Sequence, residues 1–496
     1  MEPHSGPIIA VGKVGISPMV TTKEFAGIAC DSRKVGPGFL FAALPGTHVD
    51  GSAYIEDAVR RGAVAILGVP RARAVAESLG TTFIADENPR RRLATIASEY
   101  FDAQPDIVAA VTGTNGKTSV CVFLRQIWTA LGHKAASMGT IGVVAPSGEM
   151  KLEHTTPDPI VLHRTLARLK DDGVEHLALE ASSHGLDQYR LDGVQVSAAA
   201  FTNLTRDHLD YHPDFGHYLA AKLRLFTDIL VSGGIAVVNA DAYHAEEFVR
   251  AAQMREAELL TVGELGGALK LVSRLPQADG QTLAIQFAAQ NFEVSLPLVG
   301  SFQASNALVA AGLAIGLGED SEKIFAALAG LRGAPGRLQR IAYAASGAPI
   351  YVDYAHTPDA LATVLAAVRP HVSGRLHVVF GCGGDRDTGK RPLMGRTAAE
   401  GADNIIVTDD NPRTEDPASI RRQVLVGCPS AREIGDRADA IAAAIASLGA
   451  DDALIVAGKG HESGQIVGNQ VRPFLDADQV LKSALVLDGR PAESGV

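Results

Sequence analysis

Short apolar runs alternate with polar, glycine-containing loops along the chain, and between them lie stretches with the period of an amphipathic helix. From Ile28 to about Pro105 the runs FLFAALPG and AVAILGVP, separated by the helix-like EDAVRRG, predict a small α/β domain. A second unit opens at Asp106, where DIVAAV reads as a buried strand, TGTNG as a loop and KTSVCVFLRQIWTALG as a helix. Val120, Phe123, Leu124, Ile127, Trp128 and Leu131 recur with helical spacing and form one apolar face suited to packing on a sheet. HLALE, SAAAF and IAVVN continue a parallel, doubly wound arrangement that the helical SFQASNALVAAGLAIGLG closes. After the linker-like LRGAPGRLQRI the same grammar returns, with PIYVD, LHVVF, NIIVT and ALIVA each ending in a polar loop.

The expected fold is therefore α/β with three domains, at residues 1–105, 106–332 and 333–496. They are a small N-terminal α/β module, a central doubly wound, mostly parallel sheet of the phosphate-loop type, and a C-terminal Rossmann-like α/β domain. Ligands bind beyond the carboxyl ends of strands in such sheets, so the loops after these runs are where chemistry is expected.

Composition narrows the function. A chain of 496 residues with 46% apolar and 20% charged positions builds more than one core and leaves little room for long disorder. A net charge of -11 opposes nucleic-acid binding by counterion release and leaves anions to be captured locally. Cys30, Cys121, Cys382 and Cys428 lack CxxC spacing, which fits a reducing compartment and gives no zinc or disulfide framework. No basic start precedes a long apolar core and no run is long enough for a membrane span, so the expected location is the cytoplasm.

Residues 111–119, VTGTNGKTS, lie between a strand run and a helix, the context in which Gly-Lys-Thr cradles phosphate. Gly113 and Gly116 let backbone amides approach the phosphates, with Thr114, Asn115 and Ser119 completing the loop. Lys117 neutralises charge and the Thr118 hydroxyl can ligate magnesium. The general P-loop pattern asks for glycine at Val111, so an ordinary P-loop NTPase is not the best match. Glu180 closes HLALE and His208 follows SAAAF, so both are expected to face this loop, where a carboxylate and an imidazole can hold a metal. On spacing alone Glu180 also fits a cap or surface ion pair, and His208, one of five histidines between His176 and His217, fits a structural role equally well.

TGTNGKT resembles the ATP loop of the Mur ligases and of their relative folylpolyglutamate synthetase, which join an amine to a carboxylate. EASSHGLDQYR and FTNLTRDHLDYHPDFGHYLAAKLRLF resemble the MurE branch over essentially their whole length. CDSRKVGPGFLFAALPGTHVDG resembles that branch's N-terminal uridine-nucleotide module, which folylpolyglutamate synthetases lack. The resemblance spans about residues 25 to 485. It implies an ATP- and magnesium-dependent amide ligase of peptidoglycan biosynthesis, adding meso-2,6-diaminopimelate to UDP-N-acetylmuramoyl-L-alanyl-D-glutamate (UDP-MurNAc-L-Ala-D-Glu) through an acyl phosphate. A monomer acting on small molecules, with no nucleic-acid or membrane partner, goes with that reading.

Residue roles follow from the resemblance. It implies a carbamylated Lys222, which turns a cation into an anion able to bridge to magnesium; spacing alone reads an amphipathic surface lysine. Cys30, Ser32, Thr47, His48 and Val49 would contact UDP, although DSR and THV are also common loop sequences. Thr155, Thr156, Ser182, Gln188 and Arg190 would hold the muramoyl dipeptide, while TTPD also reads as a helix cap before a proline. Asn306, Arg337, Asp353, Tyr354 and His356 would surround adenine and ribose, and Gln303, where many relatives carry Asn, has no assigned role.

The motif DNPR, Asp410, Asn411, Pro412 and Arg413, joins Arg386 of GGDRD and Gly458 and Glu462 of AGKGHES in an amino-acid pocket. Diaminopimelate carries a second carboxylate that lysine lacks; Arg413 and Arg386 can pair it, and Asp410 and Glu462 can meet the neighbouring ammonium. Without the resemblance, DNPR is also a Pro-terminated turn with a solvated Arg. Three competitors stay open: a lysine-adding ligase, disfavoured by Arg413; a folylpolyglutamate synthetase, disfavoured by the N-terminal module; and a nucleotide-binding regulatory protein without catalysis, disfavoured by the full set of site elements.

Overall fold

A computed structural model describes residues 24–46, 49–207 and 210–492. The chain divides into two compact units between Asp102 and Ala103. In the first, the parallel strands Gly27–Ala29, Phe39–Ala43, Ala63–Gly68 and Thr82–Ala85 lie side by side in chain order. Phe41, Ile55 and Ile66 anchor their core under the helices.

The second unit holds two large sheets. In one, the strands Glu258–Gly263, Leu230–Asn239, Val196–Phe201, Ile107–Thr112, His176–Glu180 and Ala135–Gly139 pair in that order, all parallel. Apolar clusters cover both faces, one including Phe123 and Leu308, the other Leu166, Phe226 and Phe248. A strand buried on both faces has no polar side to show, which is why these strands read as unbroken apolar runs. The helix Lys117–Ala130 buries Val120, Phe123, Leu124, Ile127 and Trp128 completely, with Leu131 partly buried beside them. Its neighbour Ser301–Gly316 is apolar nearly all round and lies in the same cluster.

The sheet also runs on through Leu269–Gln277, Gly280–Phe287 and Gln290–Leu296, the last two added antiparallel. The sequence reading contains no such extension. Pro276 and a glutamine-rich composition mask these strands, and Asp279-Gly280 was the available hairpin signal.

The other sheet of this unit orders Arg432–Glu433, Asn404–Val407, Leu376–Phe380, Ala453–Ala457 and Pro349–Asp353 in parallel, then Gln339–Tyr343 and Arg490–Pro491 antiparallel. Its core includes Leu361, Val378, Phe380 and Ile455. Among the described residues no helix is long and apolar enough to cross a membrane.

One ion pair sits inside this sheet's helical layer. Arg437 Nε and Nη2 each donate to Asp476 at 2.7 Å, with both side chains fully buried. Arg437 Nη2 also donates to the carbonyl of Ala457 at 2.9 Å, the last residue of its strand before the Gly458 loop. Removing one partner of such a pair strands the other charge. Asp476→Ala should therefore cost about 3–5 kcal/mol of stability in urea unfolding, since buried pairs broken on one side lose that much.

Candidate active site

The phosphate loop is gripped from the strand next door. Thr202 Oγ1 donates to the Asn115 carbonyl at 2.6 Å, and the Asn115 N–H donates to Asn203 Oδ1 at 3.0 Å. The Thr114 hydroxyl pairs with the Tyr218 hydroxyl at 2.9 Å and receives the Thr205 N–H at 2.9 Å. Gly116 opens the helix at φ 89°, and a Cβ there would fall 2.4 Å from Asn306 Oδ1, so glycine is required and Asn306 lies against the loop. Thr118 and Ser119 are buried in the first helical turn.

Two lysines converge on one carbonyl. Lys117 Nζ donates to Gly113 O and to Thr114 O, both at 2.8 Å, and Lys222 Nζ donates to Gly113 O at 2.7 Å. Lys222 is buried, with its ammonium 4.6 Å from the Tyr218 ring centroid. Burial first, then Lys117, pushes its pKa well below the usual lysine range, with Asp207 acting the other way. Burial also lowers Lys117, where Glu180 opposes the effect and Arg337 adds to it. Lys117, Lys222, Glu180, Asp207 and Arg337 thus share one electrostatic neighbourhood.

Glu180 is buried at its strand end, accepting the Thr140 N–H at 2.8 Å and the Thr140 hydroxyl at 3.1 Å. Thr140 in turn pairs with Thr155 at 3.1 Å. Thr156 Oγ1 donates to the Glu180 carbonyl at 2.9 Å and receives the Ser182 hydroxyl at 3.0 Å. Arg190 Nη1 donates to Thr156 O at 2.6 Å, and Nη2 donates to Gln188 Oε1 at 2.8 Å. The structure therefore brings Thr155, Thr156, Ser182, Gln188 and Arg190 into one hydrogen-bonded patch beside Glu180.

The linker reaches back to the same place. Gln303 Oε1 receives Asn306 Nδ2 at 3.2 Å, and Gln303 Nε2 donates to the Arg337 carbonyl at 3.1 Å, which gives Gln303 a bridging role. Gly336 has φ 65°, and a Cβ there would lie 2.3 Å from the His461 backbone nitrogen, so the linker lies directly on the 458–462 loop. The Arg337 guanidinium lies 4.8 Å from the Tyr354 ring centroid, and its Nε is buried without a hydrogen-bond partner. Asp353 is buried and accepts the Leu338 and Ala355 N–H groups at 2.7 Å, burial raising its pKa against the pull of Arg337. His356 is exposed.

In the 410–413 loop, Arg413 holds φ 51°, strained for a non-glycine residue. The hairpin Gly464–Val467 and Gln470–Pro473 fixes it: Arg413 N donates to Ile466 O at 3.0 Å, and Gly468 N donates to Arg413 O at 2.7 Å. Arg413 Nη1 donates to Gly384 O at 2.8 Å. Asn411 Nδ2 donates to Glu462 Oε2 at 3.0 Å, and a Cβ on Gly458 would lie 2.9 Å from Asp410 Oδ2. Pro412 is buried in the turn, while Arg386 is exposed and donates to Asp385 O at 3.1 Å.

In the first unit, Cys30 and Ser32 follow the strand Gly27–Ala29, and Val49 lies exposed beyond Phe39–Ala43. Thr47, His48 and His208 lie outside the described residues.

Several site residues escaped the sequence reading. Lys459 is wholly buried and donates to Asn411 Oδ1 at 3.2 Å, Glu462 Oε2 at 3.3 Å and Gly464 O at 2.7 Å. Thr140, Thr202, Asn203 and Asp207 were missed too. Lys459 stands inside the quoted AGKGHES, so its strand-end position was the usable signal. Nothing local marks Thr140.

Parallel strands delivering a phosphate loop, converging lysines and a buried carboxylate define an α/β protein built to handle a nucleotide's phosphates. Residues 24–101 match "Mur ligase family, catalytic domain", 111–314 "Mur ligase middle domain" and 336–460 "Mur ligase, glutamate ligase domain". The chain belongs to the Mur ligase family. It is 54% identical over 469 residues to the "UDP-N-acetylmuramoyl-L-alanyl-D-glutamate--2,6-diaminopimelate ligase" of Bradyrhizobium diazoefficiens, covering 94% of this chain and 96% of that one. The protein of the same name from Caulobacter vibrioides is 53% identical, with 94% and 96% covered. A solved structure of a ligase of that name matches with a TM-score of 0.72 and 34% identity over 93% of this chain and 95% of its own.

Arg391, fully buried, forks onto Glu415 at 2.9 and 2.8 Å, and Asp385 N donates to the same carboxylate at 2.6 Å. Arg391 first, then that amide, hold the Glu415 carboxyl down at about 2 against an ordinary 4.5. A depressed carboxyl stabilises the fold fully above the unfolded pKa, and the contribution fades as pH falls from about 4.5 through about 2. Glu415→Gln should remove this part of the acid dependence, seen as a flatter decline of the urea midpoint below pH 5.

Proposed function

We propose that this chain is an ATP-dependent amide ligase that joins meso-2,6-diaminopimelate to UDP-MurNAc-L-Ala-D-Glu in peptidoglycan synthesis, in the cytoplasm. The observation that carries the reading is Arg337. It acts on Lys117 at the phosphate loop and lies over Tyr354 at the other sheet, joining the nucleotide end to the amino-acid end. Its buried, unpartnered Nε fits a nucleotide acceptor.

In this reading the D-glutamyl carboxylate attacks the γ-phosphate of ATP, ADP leaves, and an acyl phosphate forms. The free amine of diaminopimelate then attacks the acyl carbon, loses its proton and expels phosphate. Lys117 offsets the charge of the transferring group, the loop amides orient it, and Arg190 with Gln188 holds the dipeptide. Asn306, Asp353 and His356 serve the adenosine, while Cys30, Ser32, Thr47, His48 and Val49 serve the UDP.

Magnesium, when bound, screens the phosphoryl oxygens; Thr118, Glu180, His208 and carbamylated Lys222 would hold it. The donor set fits a hard cation only if Lys222 is modified, because an ammonium repels it. Burial favours the neutral amine of Lys222, the form whose Nζ bonds to the carbon of carbon dioxide and releases a proton.

Arg413, fixed in place by the hairpin, pairs the distal carboxylate of diaminopimelate, and a pocket built to pair a group rejects analogues lacking it by about 10⁴- to 10⁵-fold. ATP-dependent phosphate release with the UDP-dipeptide, comparing meso-diaminopimelate with L-lysine in bicarbonate and magnesium, tests the reading. Turnover with the first alone is expected. Turnover with lysine alone would keep the ligase and overturn the pocket, and silence with both would overturn the function. Arg413→Ala should lower kcat/KM for diaminopimelate by about 30- to several-thousand-fold, the 2–5 kcal/mol of a truncated charge pair, with KM for ATP little changed.

A further inference from the structure

The ends of the central sheet farthest from the phosphate loop carry a second cluster of ligand-type side chains. His133 follows the helix that begins with Lys117, and Glu175 and His176 open the strand that ends in Glu180. Their donor atoms all lie within 4.8 Å of one another. We propose that His133, Glu175 and His176 form a binding site for a divalent transition-metal ion of the zinc class.

The donor set fits that class. Two imidazoles and one carboxylate are the ligands of three-residue zinc sites, which leave a fourth position to water. Donors around a tetrahedral ion at bonds of about 2.0–2.1 Å stand about 3.4 Å apart, so from donors within 4.8 Å of one another a contraction of about 1.4 Å at most completes the geometry.

The surroundings point the same way. His133 Nε2 meets Glu319 Oε1 at 2.7 Å, while its Nδ1 faces Glu175 Oε2 at 4.0 Å. A carboxylate on one ring nitrogen fixes the ring and makes the other nitrogen a better donor, the arrangement found behind metal-bound histidines. Glu319 comes from a third element, just beyond the helix Ser301–Gly316 that carries Gln303 and Asn306. His176 is 6% exposed, and its Nδ1 is buried without a hydrogen-bond partner, a cost that a metal bond would remove. The two imidazole rings lie 4.2 Å apart between centroids. Burial, then His133, keeps the pKa of His176 below the ordinary histidine value, which suits a neutral ligand. Glu175 is half exposed, so an ion can enter from solvent.

A filled site would tie together the far ends of the three elements that present Lys117, Glu180 and Asn306. The phosphate-loop helix has 14 residues, about 20 Å at 1.5 Å each, so the ion would act on the rigidity of these elements and not on the reacting atoms.

The single tryptophan of the chain is the probe: the ring of Trp128 lies 5.0 Å from that of His176. Intact protein in excess magnesium is titrated with Ni²⁺, a quencher, and separately heated with and without Zn²⁺. Saturable quenching at one equivalent and a thermal midpoint raised by Zn²⁺ are expected. His133→Gln and Glu175→Gln, at a part-exposed and an exposed position and checked by circular dichroism, should each weaken the Ni²⁺ midpoint by tenfold or more while ligase turnover stays at the wild-type level. No saturable quenching in the wild type, or an unchanged midpoint in both folded variants, overturns the proposal.

Discussion

Everything at the centre of this molecule is arranged around the carbonyl of Gly113, where two ammonium groups donate to a single oxygen at 2.8 and 2.7 Å. Burial first of all pushes both lysines towards neutrality, and neighbouring positive charge adds to it, Lys117 acting on Lys222 and Arg337 on Lys117. Arg337 adds a third positive group within reach. This concentration of charge stands in a chain of net charge -11, so it is a local field and not a property of the surface. A triphosphate offsets this charge at Lys117, and in the proposed reading a carbamate replaces it at Lys222. The grip of Thr202, Asn203 and Tyr218 keeps the loop from relaxing away from the two lysines.

That constraint explains the linker. Gln303 binds Asn306 on one side and the Arg337 carbonyl on the other, so the linker into the second sheet is tied through Gln303 to Asn306, which lies against the phosphate loop. His371 reinforces the junction: Gly300 N donates to its Nε2 at 3.0 Å, and its Nδ1 meets Gln277 O at 2.8 Å. Both bonds form at once only on the neutral ring with its proton on Nδ1, and burial lowers its pKa in keeping with that state. The two sheets of this unit are thus joined by specific, directional bonds and not by apolar contact alone.

The parts of this design legible in the sequence are those written in local period. The helix face from Val120 to Trp128, the apolar strands and the loops at their carboxyl ends follow from spacing and from burial on both faces of a sheet. What stayed hidden depends on partners far along the chain. Lys222 lies on a helix whose local pattern permits a surface lysine, and it is buried because Gly113, 109 positions away, supplies its acceptor. Lys459 and Asn411 stand 48 positions apart, and Glu180 and Thr140 stand 40 apart. The family resemblance supplied Lys222; neither spacing nor resemblance supplied Lys459, Thr140 or Asn203.

The two arginines proposed for the amino-acid pocket differ in a way the sequence could not display. Arg386 is exposed, so any ion pair it makes is screened by water and carries the entropy of a mobile side chain. Arg413 is partly buried, its backbone forced to φ 51° and bonded on both sides to a hairpin, with one guanidinium nitrogen already spent on Gly384 O. Backbone strain of this kind persists only where surrounding bonds over-determine it. The Arg413 side chain is therefore restrained before any ligand arrives, which lowers the ordering entropy that pairing a carboxylate would cost. In the proposed reading, selectivity between diaminopimelate and lysine therefore rests mainly on Arg413, with Arg386 raising the local field from the rim.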